Sequence, residues 1–273
     1  MKKGRIDECF EELRREGRAG TVAYITAGDP TLDRTADYVL ALERAGVDLV
    51  ELGVPFSDPL ADGPVNQESA ERALRAGATP GGVIELVRGL RSRTRMPIIL
   101  YSYLNPLLSH GGFEDNLRRM GEAGVDGLLV LDLPPEEARP WHRAMDRYGV
   151  APICLVAPTT PPERIRRIIP CARGFVYCLS RAGVTGARGE WSEEAAGVLA
   201  RTRAETRLPL ALGFGISTPE IAAQTARLAD AVVVGSALVQ RLHEREPRGD
   251  EGLEDVMRWM RSITDAVREA RRG

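Results

Sequence analysis

With 273 residues, 43% hydrophobic content and a formal net charge of −2, the chain is long enough for one large α/β domain, and nothing in its charge draws it to nucleic acid or a membrane surface. The basic start, Met1-Lys-Lys-Gly-Arg-Ile-Asp-Glu8, is not followed by an apolar run, so no secretory signal is expected, and no window approaches the roughly 20 apolar residues of a membrane span. The four cysteines make no Cys-x-x-Cys pair and the three histidines are scattered, which predicts free thiols in a reducing cytoplasm and no metal centre.

From the N-terminus, Ile6, Cys9, Phe10 and Leu13 fall at i, i+3, i+4 and i+7, the period of an amphipathic helix. Apolar runs rich in Val, Ile and Leu then recur at 21–26, 48–53, 97–103, 126–132, 151–156, 174–180, 208–213 and 230–235. A loop marked by Gly, Pro, Asp or Ser follows each, and then a helix-period segment. Because the runs are nearly continuous rather than alternating, they suit a parallel sheet covered on both faces. Eight such units predict a single (β/α)₈ TIM barrel domain over residues 1–273, with a doubly wound open sheet as the competitor.

The tetrapeptide Ala-Gly-Val-Asp recurs at 45–48 and 123–126, each time between a helix and a strand, and favours the repeated barrel unit. The second unit is long enough for two helices, over about 66–76 and 81–93. The last unit gains a helix on which Leu253, Val256, Met257, Met260, Ile263 and Val267 share one face, and the polar run 244–252 before it reads as a surface connector.

In a barrel the loops leaving the C-terminal strand ends build the active site. Glu51 ends an apolar strand, and Asp62 stands eleven positions later in a loop punctuated by Gly and Pro. A buried carboxylate needs a partner or a substrate, so Glu51 is either an acid/base group or half of an ion pair, and Asp62-Gly63 either part of that site or a turn. Tyr103 and Tyr177 read as walls, and Asp132 as a helix N-cap. Gly183-Val-Thr-Gly186, Gly213-Phe-Gly215 and Gly235-Ser236 fit a phosphate pocket, because glycine lets backbone N–H groups approach an anion and a helix N-terminus favours negative charge.

These segments together carry a family resemblance. Tyr24-Ile-Thr-Ala-Gly-Asp-Pro30, Glu51-Leu-Gly-Val-Pro-Phe-Ser-Asp-Pro-Leu-Ala-Asp-Gly-Pro64, Tyr103-Leu-Asn-Pro106, Leu131-Asp-Leu-Pro134, Leu179-Ser-Arg-Ala-Gly-Val-Thr-Gly186, Gly213-Phe-Gly-Ile-Ser217 and Gly235-Ser-Ala237 resemble the tryptophan synthase alpha subunit, in family order. The resemblance implies a barrel that cleaves indole-3-glycerol phosphate to indole and glyceraldehyde 3-phosphate, within an alpha2beta2 heterotetramer. The partner beta subunit would hold pyridoxal phosphate, with no cofactor in this chain. A stand-alone lyase and a catalytically weak allosteric subunit are the alternatives.

By the same resemblance Glu51 shuttles protons at indole C3 and the side-chain hydroxyl, while Asp62 accepts the indole N–H. Tyr24, Tyr101, Tyr103, Leu129, Leu131, Leu155, Tyr177 and Phe214 would line the indole and glycerol-phosphate cavity. Thr185 would contact Asp62 from a closing 181–188 loop, and Gly186, Gly215, Gly235 and Ser236 would hold phosphate. Tyr24, Tyr101 and Leu131 differ in type from some relatives. A retro-aldol cleavage needs an electron sink, commonly a lysine Schiff base or a metal. Lys2 and Lys3 are the only lysines, so a protonated indole ring serves as that sink.

Overall fold

Residues 3–109, 111–180, 193–213 and 215–271 are described by the structure, a computed structural model. Helix α1 (Arg5–Arg15) precedes β1 (Gly20–Thr26), α2 (Leu32–Arg44) and β2 (Leu49–Gly53). The second unit holds two helices as expected, α3 (Pro64–Arg75) and α4 (Pro80–Leu90), each with proline in its first turn. Then come β3 (Ile98–Ser102), a short α5 (Leu104–Leu108), α6 (Gly112–Ala123), β4 (Gly127–Val130) and α7 (Pro135–Arg147). The second half runs β5 (Ala151–Pro152), β6 (Cys154–Val156), α8 (Pro162–Ile168), β7 (Val176–Leu179), α9 (Glu193–Glu205), β8 (Leu210–Gly213), α10 (Pro219–Ala226), β9 (Ala231–Val234), α11 (Ser236–Arg245) and α12 (Gly249–Glu269).

All the strands are parallel, in the order β5-β4-β3-β2-β1-β9-β8-β7-β6. The two edges of this sheet, β5 and β6, are separated in the chain by Ile153 alone, so the sheet rounds into a (β/α)₈ barrel whose fifth strand is divided. Pro152 has no N–H for a ladder. Below it the strand pairs with β4, through Gly127–Ala151 and Leu128–Pro152. Above it the strand pairs with β7, through Cys154–Val176 to Val156–Cys178.

Side chains alternate across each strand, which separates two apolar regions. Val50, Leu52, Ile98, Leu100, Val232 and Val234 face outward against Tyr38, Leu42, Val83, Val87, Met120, Met260 and Ile263 of the surrounding helices. Val22, Leu49, Ile99, Leu129, Phe175 and Val233 face inward, and Ile6, Phe10 and Leu13 of α1 join them. The Phe10 ring lies 5.7 Å from that of Phe175, and Ile6 sits over the bare backbone of Gly127 and Gly174. α1 therefore plugs the N-terminal end of the barrel. Each such large apolar side chain taken from water contributes about 2 kcal/mol.

Two sequence expectations change. The 244–252 run is not a loose connector: α11 extends to Arg245, a 3₁₀ turn covers Glu246–Arg248, and α12 begins at Gly249. Glu246 anchors it, accepting hydrogen bonds from Arg34 Nε at 3.1 Å and from the Tyr38 hydroxyl. Asp132 caps a different helix from the one that follows it, because its Oδ1 accepts the Leu104 N–H at 2.7 Å, at the start of α5.

Candidate active site

Glu51 lies in the inward row of β2 with Leu49, paired across the ladder with Tyr24 of β1 and Ile99 of β3. It is wholly buried, and neither carboxyl oxygen has a hydrogen-bond partner among the described residues. Ionising it there would strand a charge in an apolar interior. Burial alone pushes its pKa from 4.5 up to about 8, so the group is predominantly a neutral acid at pH 7.

Asp62 is treated differently. Its loop leaves β2 and turns back so that Asp62 N–H donates to Pro59 O at 3.0 Å. Two phenols then reach its carboxyl: Tyr101 Oη donates to Oδ1 at 3.1 Å and Tyr103 Oη to Oδ2 at 2.8 Å. Burial raises the Asp62 pKa, while the Tyr103, Tyr101 and Asn66 side chains oppose that rise. The Tyr103 oxygen also accepts the Ala61 N–H at 2.9 Å, which commits its single proton to Asp62. Donors on both oxygens favour the ionised form but offset burial only in part, so the Asp62 pKa stays above the ordinary carboxylate value.

Above these groups the barrel opens at its C-terminal end in a cavity of about 400 Å³, lined in part by Tyr24, Asp62, Tyr101, Leu131, Leu155, Tyr177, Gly215, Gly235 and Ser236. Nine residues expected from the sequence thus share one cavity. Glu51 is not on its lining. It lies beneath the floor, close enough to influence Tyr24, Tyr101 and Tyr177. Two inward glycines make room for the tyrosines: a Cβ on Gly53 would fall 2.3 Å from Tyr24 Oη, and one on Gly213 would fall 2.4 Å from Tyr177 Oη.

Tyr103 stands behind Asp62 as its donor rather than as cavity wall. Leu129 is buried inside the barrel and borders a second cavity, of about 390 Å³, between β4, β6 and helices α7 and α8. Thr185, Gly186 and Phe214, with the 181–188 loop, lie outside the described residues. Asn66 was missed in the sequence reading, as were Val65 and Ile216, which also line the main cavity; their only signal was proximity to Asp62 and Gly215.

Gly235 precedes the first turn of α11, which carries no acidic residue. The first N–H groups of a helix lack partners within it, so this end offers donors and a positive dipole to an anion. Among the described residues no group of three or more His, Cys, Asp or Glu side chains could hold a metal ion, and no helix is long and apolar enough to cross a membrane. The four thiols are free, Cys154 and Cys178 buried and Cys9 and Cys171 half-buried.

Residues 10–268 match the family model described as tryptophan synthase alpha chain. The chain belongs to this family. The tryptophan synthase alpha chain of Caulobacter sp. strain K31 is 46% identical over 99% of this chain and 98% of its own, and that of Phenylobacterium zucineum is 46% identical over 100% and 98%. Among solved structures, tryptophan synthase subunit alpha from Legionella pneumophila superposes with a TM-score of 0.89 at 37% identity, covering 97% of this chain and 98% of the other. A chain of Mycobacterium tuberculosis tryptophan synthase gives 0.87 at 34% identity, over 98% and 99%. The family is that of the lyases cleaving indole-3-glycerol phosphate, with pyridoxal phosphate belonging to the beta subunit that receives the indole.

Proposed function

We propose that Glu51 and Asp62 divide this retro-aldol cleavage between a neutral acid and a carboxylate. Indole-3-glycerol phosphate would bind with its phosphate at the α11 N-terminus and its ring between Tyr24, Tyr101, Leu131, Leu155 and Tyr177. Asp62 accepts the indole N–H. Glu51, turned toward the cavity, delivers its proton to C3, and the ring becomes an indoleninium ion whose charge Asp62 stabilises.

The Glu51 carboxylate left by that transfer is again desolvated and therefore strongly basic. It takes the proton of the side-chain hydroxyl adjacent to C3. The carbon–carbon bond breaks, its electron pair neutralises the ring, and an aldehyde forms. Protons balance: indole and glyceraldehyde 3-phosphate leave, and Glu51 is neutral once more.

The unpartnered burial of Glu51 carries this assignment, because it supplies both the proton and the base within one group. The phosphate roles of Gly186, Gly215, Gly235 and Ser236 and the lid role of Thr185 belong to the same proposal, as does one domain over residues 1–273. We place the enzyme in the cytoplasm, where its four thiols stay reduced. Assaying indole release from indole-3-glycerol phosphate while titrating a beta subunit, with the Glu51→Gln variant alongside, tests the reading. Turnover should rise with the beta subunit and be nearly absent in the variant. Near-normal turnover by Glu51→Gln removes Glu51 from the chemistry.

A further inference from the structure

Tyr101 makes a contact that a cavity wall does not need. It is the penultimate residue of β3, in the inward row opposite Gly53 and Leu129, and its hydroxyl donates to Asp62 Oδ1 at 3.1 Å. Tyr24 buttresses it, edge-to-face, with ring centroids 5.0 Å apart and planes at 70°. Tyr24 in turn lies over the bare backbone of Gly53. A rigid strand and two packed rings therefore deliver one phenol to a carboxylate carried by a loop.

We infer that Tyr101 is a positioning residue for Asp62: it works with Tyr103 as a two-phenol clamp that holds the carboxylate ionised and aimed before substrate binds. The inference rests on the proposed role of Asp62 as acceptor of the indole N–H. One phenol on each oxygen fixes the carboxylate plane, whereas without Tyr101 only the smaller Asn66 contact would help Tyr103 to hold it. Each carboxyl oxygen keeps further lone pairs for the indole N–H, so the clamp does not compete with the ligand.

The groups facing Asp62 are Tyr101 from β3, Tyr103 beyond it and Asn66 from α3, with Tyr24 from β1, Tyr177 from β7 and the neutral Glu51 from β2 further off. Among the described residues lining the cavity there is no Arg, Lys or His. The phenols are therefore the main donors that offset the cost of burying this charge. Losing one hydroxyl makes the carboxylate harder to ionise and moves the acid limb of kcat/KM to higher pH.

The test is the pH profile of kcat/KM for the full chain, alone and saturated with beta subunit, in Tyr101→Phe. The acid limb should move up by a measurable fraction of a pH unit, and kcat/KM at neutral pH should fall about tenfold, the usual weight of a hydrogen bond to a charged group. Replacing Tyr101 with 3-fluorotyrosine, a stronger donor, should move the limb the other way. A limb that stays in place in both variants, with only KM altered, makes Tyr101 a wall and overturns the inference. The Asp62→Asn control separates the two layers: if it keeps wild-type turnover and the same acid limb, the role of Asp62 fails and takes the clamp with it, whereas a near-inactive Asp62→Asn beside an unmoved Tyr101→Phe limb condemns the clamp alone.

Discussion

The two ends of the barrel handle carboxylates in opposite ways. At the N-terminal end Asp48, Asp126 and Asp230 each precede a strand and accept a neighbouring strand's amide, from Thr21, Ile98 and Leu210, at 2.8 Å in every case. Each also has an arginine: Arg18 on Asp48 at 2.9 Å, Arg5 and Arg91 on Asp126 at 2.8 and 2.5 Å, and Arg203 on Asp230. At the C-terminal end Glu51 has no partner and Asp62 has phenols but no cation in the described structure. Charge pairing holds strands in place at one end; at the other Asp29 still pairs with Arg72 at 2.7 Å, but Glu51 and Asp62 lack such a pair, which leaves their protonation adjustable. This follows the general division of such barrels into a stability face and a chemical face.

The contrast breaks most visibly at Glu51. Its replacement by glutamine keeps the shape but removes the proton, so turnover should fall by about 10³-fold or more while circular dichroism stays unchanged; activity within tenfold of wild type would contradict the division.

Stability should move the other way. The folded pKa of about 8 lies above the ordinary value of 4.5, so the folded state binds the extra proton across that interval. The contribution is fully present below about pH 4.5 and is lost as pH rises through 8, a change on the order of 4 kcal/mol. Denaturant unfolding from pH 5 to 8.5 should show this decline in wild type and a flatter profile in Glu51→Gln, which should be the more stable protein at the alkaline end. Parallel profiles would mean that Glu51 is ionised without penalty.

At the other end, Asp126→Ala should cost about 3 kcal/mol, because it leaves the mostly buried Arg91 unpaired and the Ile98 amide without its acceptor. Activity per folded molecule should persist in that variant. A selective loss of turnover without loss of stability would show that the two ends are not separate in function.

Much of this organisation was legible in the sequence. The eight apolar runs became the barrel strands within a few residues, because strands buried on both faces leave an unmistakable hydrophobic record. Glu51 was visible as a charge in such a run away from its ends, although it sits in the middle of β2 rather than closing it. The Ala-Gly-Val-Asp repeat marks the barrel unit in the sequence but does not disclose the grip of Asp48 and Asp126 on a neighbouring strand, which depends on register. The Asp62 clamp was equally hidden: Tyr101 stands 39 residues away in sequence and reaches Asp62 only through the fold of the intervening loop. The 244–252 run misled because its polarity records solvent exposure, whereas its helical state comes from Arg34 and Tyr38 reaching across from α2.

The ionisation of Glu51 itself decides the account. Carboxyl signals of the folded full chain, followed by infrared difference spectroscopy or by NMR of labelled glutamate and assigned by their loss in Glu51→Gln, give its midpoint directly. A midpoint near pH 8 is the predicted result; titration in the ordinary glutamate range near 4.3 would contradict it.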